Sequence, residues 1–248
     1  MYFGSIFGNI MRNTPPIVKN LIIINALMLL ATFAFKHIMV SNFALFYPES
    51  PLFRPYQLFT YMFMHGGFTH FFFNMYALWM FGQVIENAWG GRRFLFYYLV
   101  TGLGAMLLHL VVLWIQMSSI ERAMDPTLLE QLRLELTRGQ ALEMLNDGTI
   151  YSIAPEWSKM MLIPTLGASG AVFGVLLAFG MMFPETRLML IFPPIPLKAK
   201  WLVIAYGVLE LCLAFAQPGS SVAHFAHLGG MLFGLVIIKY WQSKRTLY

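Results

Sequence analysis

The chain has 248 residues, of which 58% are hydrophobic and only 11% charged, with a mean hydropathy of +0.66. Soluble domains carry roughly 25% charged residues, so this composition cannot coat a water-exposed surface, and the segments lack the alternation of a membrane β-barrel. The net charge of +5 would suit nucleic acid in a soluble protein. Here the basic residues flank apolar runs, which points to orientation in a lipid bilayer and to no nucleic-acid partner.

Apolar runs of about 20 residues can span a bilayer. The expectation is an all-α membrane protein, one domain over 1–248, with six spans near 17–36, 69–86, 92–115, 162–183, 200–216 and 225–241. The N-terminus lacks the parts of a cleaved signal peptide, so the first run is expected to stay as a span. The segment "RPYQLFTYMFMHGG" (54–67) is aromatic-rich and interrupted, and reads as an interfacial helix plus turn. With both termini cytoplasmic, 10 of the 16 Lys and Arg residues fall on the inner side. The compact six-span form, with no targeting segment, suggests the plasma membrane of a bacterium. The single cysteine, Cys212, excludes an internal disulfide.

Between the third and fourth spans lies a polar insertion, 116–161, with seven acids against four bases. Asp125 is placed to cap a helix, Pro126 suits its first turn, and leucines follow at near-helical spacing. A helix or helical pair outside the membrane is expected, as a connector or as a contact surface.

Polar side chains at membrane depth are costly and need a partner or a purpose. In "PTLGASGAVFG" (164–174), Ser169 sits among Gly167, Gly170 and Gly174. Small residues let helices approach closely, so packing alone explains the pattern; a nucleophile flanked by open space explains it too. The stretch is not the soluble-hydrolase elbow, because Ala171 stands where G-x-S-x-G needs glycine. In "VAHFAHLGGMLFG" (222–234), His224 and His227 precede Gly230 and Gly234. Serine needs a base within hydrogen-bond reach, and histidine is the commonest one. The two glycine pairs share a four-residue spacing, so close helix packing could bring Ser169 to His227.

In "HGGFTHFFFNMYALWMFG" (65–82), His70 and Asn74 lie four apart, on one helix face. They are either interhelical glue or donors for a developing anion. Glu86, between Gly82 and Gly90, reads as structural, capping or pairing with Arg92 or Arg93, whereas Glu210 within the fifth span has no evident partner. A zinc site is disfavoured: no HExxH, no cysteine cluster and no carboxylate stands beside the histidines at ligand spacing.

The motifs "HGGFTHFFFN", GxxxExxxG (82–90), "GASGAVFG" and "AHFAHLGG", in this order and in these spans, resemble those of the rhomboid family of intramembrane serine proteases. The resemblance implies a six-helix rhomboid-type bundle and a Ser169–His227 dyad with no third carboxylate. It also implies an oxyanion hole of His70, Asn74 and the Ser169 N–H, with Phe173 stacked on the histidine. Gly167, Gly170, His224, Gly230 and Gly234 would support the site, the 42–67 region would form a first loop partly in the membrane, and 217–223 would cover it. The substrates implied are single-span or polytopic membrane proteins, with no cofactor and no metal. Tyr56-Gln57 stands where many relatives carry Trp-Arg, and the 116–161 insertion is longer than in the smallest members. A non-catalytic client-binding member would typically have lost Ser169 or His227. A transporter or channel would line several spans with polar residues.

Overall fold

Lipid cannot hydrogen-bond free backbone groups, so apolar segments close their bonds internally as helices. The computed structural model describes residues 13–148, 155–189, 195–216 and 221–244, apart from the side chains of 221 and 222. In chain order these form α1 (Pro16–Ala34), α2 (Lys36–Phe43), α3 (Gln57–Thr60), α4 (Phe68–Ala77), α5 (Gln83–Trp89) and α6 (Gly91–Ala123). Then come α7 (Pro126–Glu135), α8 (Arg138–Asp147), α9 (Glu156–Leu162), α10 (Ser169–Met182), β1 (Arg187–Met189), β2 (Pro196–Lys198), α11 (Ala199–Ala216) and α12 (Ser221–Ser243).

Among the described residues, four helices are long and apolar enough to cross a membrane: α1, α6, α11 and the Ala223–Ser243 part of α12. Their outer faces carry exposed apolar residues such as Leu27, Leu30, Trp114, Phe215 and Val236, as a lipid-solvated surface requires. The second expected span is continuous in three pieces, α4, a wider π-type turn at Leu78–Gly82, and α5. The fourth departs from expectation. Residues 162–168 are not its first turns: α9 ends at Leu162 and α10 begins at Ser169 itself. At 1.5 Å per residue its 14 residues rise about 21 Å, less than the ~30 Å hydrocarbon core.

α12 is the central element, packed on α6, α10 and α11. The main core joins Phe94, Tyr97 and Tyr98 of α6 to Val175 and Phe179 of α10, with Leu78, Ile85 and Ile238. Glu86 fastens α1 to this core. Its carboxylate accepts from the backbone N–H groups of Ile17 (2.9 Å) and Val18 (2.8 Å), the orphan donors of the first turn of α1. It is therefore structural, as expected, and caps a helix distant in sequence.

Within the polar insertion the expected helical pair is α7 and α8, while residues 116–123 still belong to α6 and α9 adds a third helix. Asp125 accepts from the N–H groups of Thr127 and Leu128 and caps α7, and Thr137 with Gln140 forms a capping box on α8. Ala141, Trp157 and Met161 pack on Phe46, Tyr47 and Leu52 as a second core. Arg133 pairs with Glu121 at 2.8 Å, Trp157 Nε1 donates to the same carboxylate at 2.9 Å, and Arg138 donates to the Pro51 carbonyl at 3.1 Å. The 54–67 segment is the short helix α3 and a following turn, as expected. Buried Gln57 laces it: Oε1 accepts from Arg54 N–H at 3.0 Å, and Nε2 donates to the carbonyls of Asn42 and Leu52. Between α10 and α11, β1 and β2 pair antiparallel, a hairpin that hydropathy gave no reason to expect.

Candidate active site

The segment before Ser169 is extended because both its sides are bonded. Thr165 exchanges two backbone hydrogen bonds of 2.8 Å with Leu45, and Gly167 N–H donates to the Tyr61 carbonyl at 3.0 Å. Gly167 has φ 143°, and a Cβ there would lie 2.9 Å from His70 Cε1 and 3.4 Å from Ser169 Oγ. Glycine is thus required by both backbone and space. The turn delivers Ser169 to the first position of α10, where its N–H belongs to the unbonded first turn and the helix dipole favours negative charge.

Ser169 Oγ lies 2.8 Å from His227 Nε2. Both residues are half-buried rather than sealed. Phe173, one turn after the serine, lies flat on the His227 ring at 4.3 Å with an interplanar angle of 3°. The helix approach behind this contact is closest at Gly230, where an added Cβ would overlap the Gly170 carbonyl. The rest of the two glycine ladders also faces α6. A Cβ on Gly170 would meet Ala105 and one on Gly174 would meet Thr101, both of α6, while one on Gly234 would meet Tyr97 Oη. α6 thus shares the notches that the equal spacing assigned to α10 and α12 alone.

His70 faces Gly167 and Ser169 from α4. Its Nδ1 stands 3.5 Å from the Gly66 N–H, a long contact in which it accepts, and its Nε2 lies toward Gly167. Asn74, buried one turn on, donates through Nδ2 to the His70 carbonyl at 2.8 Å. That bond uses one of its two amide hydrogens. The 217–223 segment expected over the site lies, through residue 220, outside the described residues.

Sequence reasoning missed the role of Glu210. Its Oε2 lies 2.7 Å from His224 Nδ1 and 2.9 Å from His227 Nδ1, so the serine and histidine do have a carboxylate beside them. The signal was visible as an acid stranded in an apolar helix, and Glu210 shares the buried face of α11 with Val203 and Ala214. The argument against a metal also changes. Ligand atoms of Glu210, His224 and His227 lie within 4.8 Å of one another, a His₂Glu set by type. In the arrangement observed, both Nδ1 atoms are engaged with Glu210 instead.

A family model described as the Rhomboid domain matches residues 53–243. Among curated proteins, Rhomboid protein 1, mitochondrial, of Saccharomyces cerevisiae is 26% identical over 184 residues, covering 73% of this chain and 40% of that protein. Presenilin-associated rhomboid-like protein, mitochondrial, is 27% identical in Bos taurus and 26% in Homo sapiens, each over 195 residues, 75% of this chain and 39% of the relative. The chain thus spans about two fifths of the length of these relatives. The bacterial plasma-membrane placement is corrected by them, since the relatives are mitochondrial proteins. Charge flanking and span count record how a chain sits across a bilayer, not which bilayer it is. The match over residues 53–243, on a helical chain with four candidate membrane spans, settles the kinship: the chain belongs to the rhomboid family.

Proposed function

We propose that the protein is an intramembrane serine endopeptidase that cleaves membrane-spanning segments of single-span or polytopic proteins through an acyl-enzyme. The observation that carries this reading is the 2.8 Å contact between Ser169 Oγ and His227 Nε2. His227 takes the hydroxyl proton as the serine oxygen attacks the scissile carbonyl, then delivers it to the leaving amine. The oxyanion is held by the Ser169 N–H, His70 Nε2–H and the second amide hydrogen of Asn74. One such donor is worth about 3–4 kcal/mol in the transition state. Water then hydrolyses the ester, and the chemistry calls on no cofactor.

The proposed architecture is a single six-span domain, in which the Phe68–Trp89 run and α10 join the four long helices. The short α10 leaves Ser169 below the membrane surface, and its half-burial leaves a path for water. A substrate helix hides its carbonyls in hydrogen bonds, so it must unwind locally to reach the serine. The helices α7, α8 and α9 of the insertion stand outside the membrane and pack on the loop that leads to the site.

Purified protein treated with a fluorophosphonate tests the reading. The expected result is one adduct on the peptide carrying Ser169, with labelling lost in Ser169→Ala and strongly reduced in His227→Ala. Labelling that survives Ser169→Ala overturns it.

A further inference from the structure

Glu210 is the one carboxylate of α11, lies 8% exposed on the inward face, and places a single oxygen against two histidines. A buried carboxylate in a membrane helix is costly unless paired. Interhelical attachment alone does not explain why the pair includes the histidine that touches Ser169.

We propose that Glu210 is a positioning residue of the reaction, completing a Ser169–His227–Glu210 triad whose carboxylate is held in place by His224. This rests on the protease reading above. A carboxylate only accepts hydrogen bonds, so the 2.9 Å contact puts the proton of His227 on Nδ1. Nε2 is then left with its lone pair toward Ser169 Oγ, 2.8 Å away. Without Glu210, the other tautomer becomes available and turns an N–H toward the serine oxygen, which cannot accept the serine proton.

The charge follows the same line. When the Ser169 proton moves to Nε2 and the Oγ–carbon bond forms, His227 becomes an imidazolium and keeps Nδ1–H. Glu210 stays ionised beside it, and its side chain is only 10% exposed, so little water screens the pair. His224 bonds the same Oε2 at 2.7 Å and fixes the carboxylate. The ring of His227 is thereby held on one face by Phe173 and on both edges by hydrogen bonds.

The test uses the full chain in detergent micelles, with Glu210→Leu, Glu210→Gln and Glu210→Asp. The readouts are the rate constant of phosphonylation by the fluorophosphonate per labelled site, in which Oγ bonds to phosphorus and fluoride leaves, and kcat and KM on a single-span substrate. Glu210→Leu is expected to lower the per-site rate and kcat by about 10²–10⁴-fold, with KM nearly unchanged. Glu210→Gln keeps an acceptor but no charge and falls between, and Glu210→Asp restores part of the loss. A purely structural role moves the yield and the melting temperature but not the per-site rate. Glu210→Gln decides the matter where Glu210→Leu does not assemble, and its labelling at the wild-type rate overturns the proposal. A wild-type chain that does not label overturns the protease reading and this proposal with it. Wild-type labelling beside unaffected Glu210 variants overturns this proposal alone.

Discussion

Gly230→Ala perturbs the helix contact that brings the site together. A methyl group there overlaps the Gly170 carbonyl, a backbone atom that cannot swing aside. Ordinary carbon–oxygen contact needs about 3.5 Å, so α12 must shift by more than about 1 Å. A misplacement of that size costs on the order of 10² in rate, about 2.7 kcal/mol. Overpacking adds a stability cost of about 1–3 kcal/mol, which the gain in helix propensity from alanine, about 1 kcal/mol, does not offset. Gly207→Ala is the control. Its Cβ would meet the Met231 methyl at 3.3 Å, the far end of a flexible side chain, so rate and stability are expected to hold. The assay is the rate of fluorophosphonate phosphonylation per labelled Ser169 alongside the melting temperature, for both variants. Gly230→Ala labelling at the wild-type rate refutes the claim that the glycine contact sets the serine–histidine distance.

Glu86→Gln removes the charge that two backbone N–H groups of α1 share, and should destabilise the protein by about 1–3 kcal/mol. Unfolding titrations in mixed micelles measure this, and an unchanged midpoint contradicts the capping role. Acid should loosen the β1–β2 hairpin. Hydrogen bonds from Lys198 and Lys200 pull the exposed Glu185 carboxyl from its ordinary 4.5 down to about 2. Its contribution is therefore fully present above pH 4.5 and lost as the pH falls toward 2. Hydrogen exchange at the amides of β1 and β2 should quicken across that window, and a flat profile contradicts the reasoning.

Hydropathy was enough to find the long helices, because a bilayer leaves apolar segments no other fold. It placed the start of the fourth span too early, since residues 162–168 are nearly as apolar as the helix they precede. The break comes from Pro164, from Gly167 at φ 143°, and from bonds to Leu45 and Tyr61 that are distant in sequence. Ser169, His227 and His70 stood out because polar groups are costly in an apolar chain, whereas Phe173 came only with the resemblance to the rhomboid family. Glycine spacing announced close approach but could not name the partner, so the part played by Thr101 and Ala105 of α6 stayed hidden. Glu210 was visible as an anomaly. Its partners lie 14 and 17 residues onward on another helix, and only the packing of α11 on α12 joins them.

The most direct measurement pairs the wild type and Ser169→Ala, each reconstituted in vesicles with a labelled single-span substrate. The wild type should release two fragments cut at a peptide bond within or beside the spanning segment, and the variant, folded to the same melting temperature, should release none. Equal cleavage by the two proteins would contradict the assignment of Ser169 as the nucleophile.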